Sequence, residues 1–243
     1  SAMSGATSQP SMSSLYYALK NGSRMPNINI ENVQQINHYW EDVRTYYAPF
    51  ENGISAPQTE VYAHEMPGGQ YSNLQQQAKA VGLEERWDEI KEMYATVNIL
   101  FGDIVKVTPS SKVVGDMALF MVQNNLTSDD IYQKGRELNY PESVIGLFSG
   151  DLGQPTGGFP EELKDIILNG RPSIEVRPGS LAEAVDFEKI KVELKELIGF
   201  EPSPKDVISY IMYPQVFLDY CKMNDSFGDV ELLDTATFFQ GMP

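Results

Sequence analysis

Leu83 to Met121 reads LEERWDEIKEMYATVNILFGDIVKVTPSSKVVGDMALFM. Trp87, Ile90, Tyr94, Val97 and Phe101 recur at intervals of three and four, the period of a single helix face. Glu84, Glu85 and Asp88 stand at its amino end, where the helix dipole favours negative charge. After Gly102 and Asp103 comes a short apolar run, Val105 to Val107. Pro109-Ser110-Ser111 then opens a second helix with Ser110 or Ser111 as its cap, holding Val113, Val114, Met117, Ala118 and Met121 inside. Two helices joined by a hydroxyl-rich elbow predict a mainly α protein.

The same punctuation continues in both directions. Ser8, Pro10 and the run to Leu19 predict a short helix, with Pro in the first turn where its missing N–H costs nothing. Val33, Ile36, Trp40, Val43 and Tyr47 share one face of a helix from Ile30 to Tyr47, ended by Pro49 and Pro57. Thr127 with Asp130 approximates a capping box. Further helices are predicted at Pro141 to Phe148, Pro160 to Leu168, Phe187 to Leu197, Ser203 to Met212 and Pro214 to Met223. Trp40 and Trp87 are expected in the core. Phe50 to Gln70, with Gly53, Pro57, Pro67, Gly68 and Gly69, and Gly170 to Pro178 read as loops or extended crossings. The first exceeds the ~12 to 15 residues of a plain connector, which points to a functional or partner-bound role. No period-2 alternation lasts long enough for a strand, and no fixed-period repeat is present.

Composition narrows the function classes. Among 243 residues, 34 acidic side chains face 18 basic ones, a formal net charge of −16. Nucleic acid and anionic membrane both demand clustered Lys and Arg, which are absent here. Cys221 is the only cysteine, so no intrachain disulfide forms, and a cytoplasmic setting is expected. His38, His64 and Cys221 fit no zinc spacing. The stretch Met93 to Val107, broken by Asn98 and Asp103, falls short of the ~20 residues of a membrane span. Ser1 to Gln9 has neither the basic nor the apolar region of a signal peptide, and its abrupt opening reads as a cut inside a longer protein.

Two segments offer chemistry. Glu65 to Leu74 combines two glycines with hydrogen-bonding side chains, suited to close backbone approach; read alone, it is a turn before a helix. Val105 to Val113 leads an apolar run into a helix start, where free N–H groups and a nearby Lys suit an anion or a polarised carbonyl oxygen; read alone, it is a Ser cap beside a solvated lysine. His64 is a lone histidine of the kind that is usually a surface or hydrogen-bonded structural residue. There is no phosphate loop, Rossmann glycine pattern or Ser/His/Asp constellation.

Three ordered motifs carry a resemblance: Met3 to Ser11, His64 to Leu74, and Gly102 to Asp116. Together with Tyr39 to Arg44, and with Leu232 to Thr235 through Gly241-Met242, they make the chain similar to the pyruvate carboxylase family over nearly its whole length. It resembles the helical funnel that follows the (β/α)8 barrel of the carboxyltransferase domain. Ser72, where some relatives carry Thr, is a conservative departure, and at Ala6 relatives often carry a larger residue. The resemblance implies a mainly α cap with its barrel absent, divided into a post-barrel segment at residues 1–28 and a funnel at 29–243.

By the same resemblance, Thr108 moves a proton between the methyl group of pyruvate and the ureido nitrogen of biotin. Gln70, Ser111 and Lys112 belong to the biotin pocket, where their donors suit a ureido oxygen whose developing charge eases release of CO2. The resemblance places the divalent metal in the absent barrel, so no metal ligand is expected in this chain and no cofactor is expected bound to it in isolation. The implied partners are that barrel, the biotin carrier domain, a parent homotetramer and pyruvate as substrate, with no nucleic acid and no membrane. The implied parent is a bacterial, ATP-dependent, anaplerotic and gluconeogenic ligase making oxaloacetate, and the excised chain is expected to be inactive. A funnel from an oxaloacetate decarboxylase or transcarboxylase subunit, and a non-catalytic helical interaction module, are the alternatives.

Overall fold

The computed structural model describes residues 2–5, 7–51, 59–228 and 230–241. Ala6, Gly53, Pro57 and Met242, singled out above, lie outside them. Among the described residues the regular elements are all helical: α1 (Met12–Leu19), α2 (Ile30–Tyr47), α3 (Val61–His64), α4 (Gly68–Ala80), α5 (Trp87–Leu100), α6 (Ser110–Gln123), α7 (Ser128–Lys134), α8 (Glu142–Ser149), α9 (Glu161–Leu168), α10 (Phe187–Ile198), α11 (Pro204–Met212), α12 (Pro214–Phe227) and α13 (Thr235–Gly241). They group into two compact units, Ser1–Leu181 and Ala182–Pro243. That grouping follows packing, whereas the division expected at residues 28 and 29 follows the chain order of the resembled family.

In the first unit α6 is the central element, packed against α5, α4 and α8. Neighbours on several sides explain why Val113, Val114, Met117, Ala118, Met121 and Val122 are all buried. α5 answers with Ile90, Tyr94 and Val97, and α8 with Val144, Leu147 and Phe148. Phe101 meets Phe148 edge-on at 4.9 Å between ring centres, a geometry aromatic quadrupoles favour. Each such side chain contributes about 1.5–3 kcal/mol on full burial, so this cluster holds the helices around α6 in register. The second unit is smaller. α11 packs against both α10 and α12, and Leu194, Val207 and Phe217 form its centre.

The caps explain several boundaries. Thr127 accepts from the Asp130 N–H while Asp130 accepts from the Thr127 N–H, closing the capping box of α7. Ser203 and Asp206 do the same for α11. Two expectations about helix starts are corrected. α1 is capped by Ser11 and begins after Pro10. Ser110 lies within the first turn of α6, with no side-chain cap before it. Its hydroxyl donates instead to the carbonyls of Val105 and Val107 at 2.7 and 2.6 Å, tying the helix start back to the preceding apolar run.

The stretch expected as a long loop from Phe50 to Gln70 contains α3 and the start of α4. Pro67 fixes a helix-compatible φ just before Gly68, so the two glycines punctuate a helix start and do not form a loop. Trp40 and Trp87 are half-buried: Ile36, Tyr39 and Tyr47 on the helix of Trp40 remain exposed, so the α2 stripe is only partly covered, and Trp87 packs against the margin of the core.

Candidate functional site

The site is built where α4 crosses α6. Gly68, the first residue of α4, meets the carbonyl of Thr7 so closely that a Cβ would overlap it. The segment around Thr7 therefore rests directly on the amino end of α4, and two of the three motifs read from the sequence touch. Two residues on, Gln70 is buried at 7% exposure, and its Nε2 has no hydrogen-bond partner among the described residues. A Cβ on Gly115 would stand 2.5 Å from that nitrogen and 3.0 Å from Cδ1 of Leu74. Gly115 thus makes the room into which the Gln70 amide is folded.

Gly115 lies one helical turn beyond Ser111, so Gln70 is brought to the face of α6 that carries Ser111. Ser111 is buried; its N–H donates to Val107 and its carbonyl accepts from the Tyr94 hydroxyl at 3.2 Å. Burial, with the Glu65 carboxylate adding to it, pushes the Tyr94 phenol well above its ordinary range, so Tyr94 stays a neutral donor. Thr108 precedes α6 by two residues, is exposed and makes no hydrogen bond among the described residues. Its bond to Pro109 is cis. Val105 and Val107 beside it are exposed, at 75% and 63%, whereas Lys106 between them is held by Glu65 at 2.7 Å. Lys112 pairs with Asp116 at 2.5 Å, and Asp116 in turn accepts from the Ser143 hydroxyl at 2.6 Å.

The four residues singled out from sequence therefore sit at one helix start or on the helix laid across it. The sequence reading missed three others. Gly115 had a signal, a glycine inside an apolar helix, and Asp116 had its i+4 spacing from Lys112. Ser143 had none, because it arrives from α8. His64 is structural: buried, its Nδ1 accepts from the Met66 N–H at 2.9 Å and its ring lies against Tyr71. Among the described residues, no cluster of three or more His, Cys, Asp or Glu is placed to hold a metal. No helix there is long and apolar enough to cross a membrane.

Chemically the two segments supply a desolvated amide donor on α4, without a partner among the described residues, and an exposed hydroxyl ahead of α6 that can both donate and accept. A buried donor without a partner costs about 1–3 kcal/mol, so this geometry suits a ligand that offers a carbonyl-type oxygen. The class that the fold defines is an all-helical subdomain, as far as the described residues go.

The chain belongs to the conserved carboxylase domain family, which matches residues 61–243. It is 59% identical over 242 residues to pyruvate carboxylase of Bacillus subtilis, covering 100% of this chain and 21% of that protein. It is 54% identical over 240 residues to the Staphylococcus aureus enzyme, covering 99% and 21%. The carboxyl transferase domain of Rhizobium etli pyruvate carboxylase, solved with pyruvate and biocytin, is 46% identical with a TM-score of 0.92. That match covers 100% of this chain and 41% of the solved one. The chain thus spans about a fifth of the curated relatives it matches.

Proposed function

We propose that this chain is the biotin-facing helical cap of the carboxyltransferase part of a pyruvate carboxylase, residues 1–28 forming the post-barrel segment and 29–243 the funnel. The observation that carries this reading is the unpartnered Gln70 amide seated on Gly115 beside Ser111. Resemblance to an enzyme solved with pyruvate and biocytin supports it. The residues present fit the cofactor: a ureido oxygen is the acceptor an orphaned amide lacks, and a turn of the last Gln70 side-chain bond presents the N–H to it.

Biotin, when bound, supplies a ureido nitrogen that carries the transferable carboxyl group. Gln70, Ser111 and Lys112 hold the ureido oxygen and stabilise the negative charge that develops there as the carboxyl group departs. Thr108 accepts a proton from the pyruvate methyl group while its own hydroxyl proton passes to the ureido nitrogen, so the side chain ends the cycle unchanged. The carbon left by that proton takes up the carboxyl carbon to give oxaloacetate. The divalent metal, the ATP site and the biotin carrier belong to other parts of the parent, which works as a cytoplasmic homotetramer.

In the full-length enzyme, Thr108→Ala collapses transfer to pyruvate by about a hundredfold or more, the usual scale for loss of a proton-transfer group. ATP-dependent carboxylation of biotin survives. Near-normal overall turnover would remove Thr108 from the chemistry. The isolated chain shows no carboxylation or decarboxylation of its own, and measurable turnover by purified material would contradict that.

A further inference from the structure

We propose that Asp116, fixed by Ser143, is a positioning residue that holds the Lys112 ammonium ready for the biotin ureido group. The inference rests on the reading of Lys112 given above. It starts from an asymmetry within the ion pair: the Lys112 side chain is 53% exposed and that of Asp116 only 15%. The carboxylate is the anchor and the lysine the mobile end. Asp116 is also held twice, by Lys112 on its own helix at 2.5 Å and by the Ser143 hydroxyl from α8 at 2.6 Å. A hydroxyl from a second helix sets the direction in which the carboxylate points, which an ordinary surface pair lacks.

Helix stability alone is a poor reason for this pair. A lysine four residues before an acid is the weaker order, because it opposes the helix dipole. What the pair achieves is restriction. A free lysine samples many rotamers, and ordering it on ligand binding costs entropy; a lysine already tethered one turn along α6 has met that cost. Of its three N–H groups one is committed to Asp116, leaving two for an incoming oxygen. The carboxylate meanwhile offsets part of the charge, so the site offers directed donors without a bare cation.

The test uses full-length enzyme with its carrier lysine unmodified, and reads free biotin binding by saturation-transfer NMR alongside thermal midpoints. Biotinylated enzyme then reports transfer kinetics. Lys112→Ala weakens biotin binding by about tenfold, the scale of one hydrogen bond to a charged group. Asp116→Asn, which keeps size and shape, produces a loss of about the same order with an unchanged midpoint, and Asp116→Glu restores part of it. Ser143→Ala gives a smaller loss in the same direction. Asp116→Asn adds nothing once Lys112 is already Ala, and in biotinylated enzyme it raises KM for transfer more than it lowers kcat. Should Lys112→Ala weaken binding while Asp116→Asn binds as the wild type does, the positioning role is overturned and the reading of Lys112 stands. Should Lys112→Ala itself leave biotin binding unchanged, both fall together.

Discussion

Gln70 and Gly115 are sterically matched: the amide nitrogen of one stands 2.5 Å from the place a Cβ would take on the other. Replacing Gly115 by Ala therefore sets two effects against each other. Alanine gains about 1 kcal/mol in a helix interior over glycine, while crowding a packed site costs about 1–3 kcal/mol. With Leu74 also within 3.0 Å of the new methyl group, the clash wins, and Gly115→Ala destabilises the chain to urea. With Gln70→Ala present, the same change costs less, because the closer of the two side chains that met the methyl group has gone and only Leu74 remains. A double-mutant cycle in urea unfolding checks this, and simple additivity would show that the two residues are not coupled.

Gly68 poses a harder constraint, since its neighbour is backbone. A Cβ there runs into the Thr7 carbonyl, and no side-chain rotation relieves it. Gly68→Ala should lift residues around Thr7 from the start of α4 while leaving the α5–α6 core folded. Limited proteolysis reads the difference: faster cleavage near the amino terminus with an unchanged core pattern is expected. Uniformly faster cleavage would mean the whole first unit depends on that contact.

How far the sequence disclosed these relationships depends on their range. α2 could be read because five apolar residues keep helical spacing and Pro49 follows its end, and the structure adds Asn29, accepting from the Asn32 N–H, as the cap that closes its start. The capping boxes of α7 and α11 are equally local, each spanning three residues. By contrast, α3 is four residues long, too short for any period to show, and it hid inside a glycine- and proline-rich stretch. The half-burial of Trp40 was illegible for another reason: an apolar stripe states that a face wants covering, and burial depends on what covers it. At the site, Gln70, Thr108, Ser111 and Lys112 were named through family resemblance, because hydroxyls and amides near a helix start have ordinary capping uses. Only the crossing of α4 over α6 displays the Gln70–Gly115 fit, the two residues being 45 positions apart in the chain.

His64 gives the fold a dependence on acid. Burial holds its imidazole below the ordinary value of about 6.5, the nearby Lys91 charge adds to that, and the Glu60 carboxylate opposes it. Nδ1 must also stay unprotonated to accept from the Met66 N–H. The folded state thus favours the neutral ring more than the unfolded state does, and the unfolded state binds the proton more readily. The contribution is fully present above the unfolded value and is lost as pH falls through the depressed folded one. Urea unfolding at pH 7.5 and 5.5 should show wild type losing more stability on acidification than His64→Leu. Equal losses would place the acid sensitivity elsewhere.

The surface carries a conflict between apolar exposure and charge, and salt should decide it. Within the second unit Val192, Leu197, Phe200, Ile208, Met212, Val216 and Phe227 are all exposed, and within the first Ile36, Tyr39 and Phe50 lie open as well. Extended apolar surface of this kind favours association. Opposing it is the formal net charge of −16, whose repulsion reaches about 10 Å at 0.1 M salt and about 3 Å at 1 M. Raising ionic strength screens the repulsion and leaves the apolar attraction intact. The 27.2 kDa chain should therefore associate with itself as its concentration rises, and more strongly in high salt than in low. Light scattering across a salt series tests the sign. A mass that stays monomeric at high concentration in 1 M salt would mean these side chains are too dispersed to form a contact, and a mass that falls with added salt would mean that ion pairs drive association.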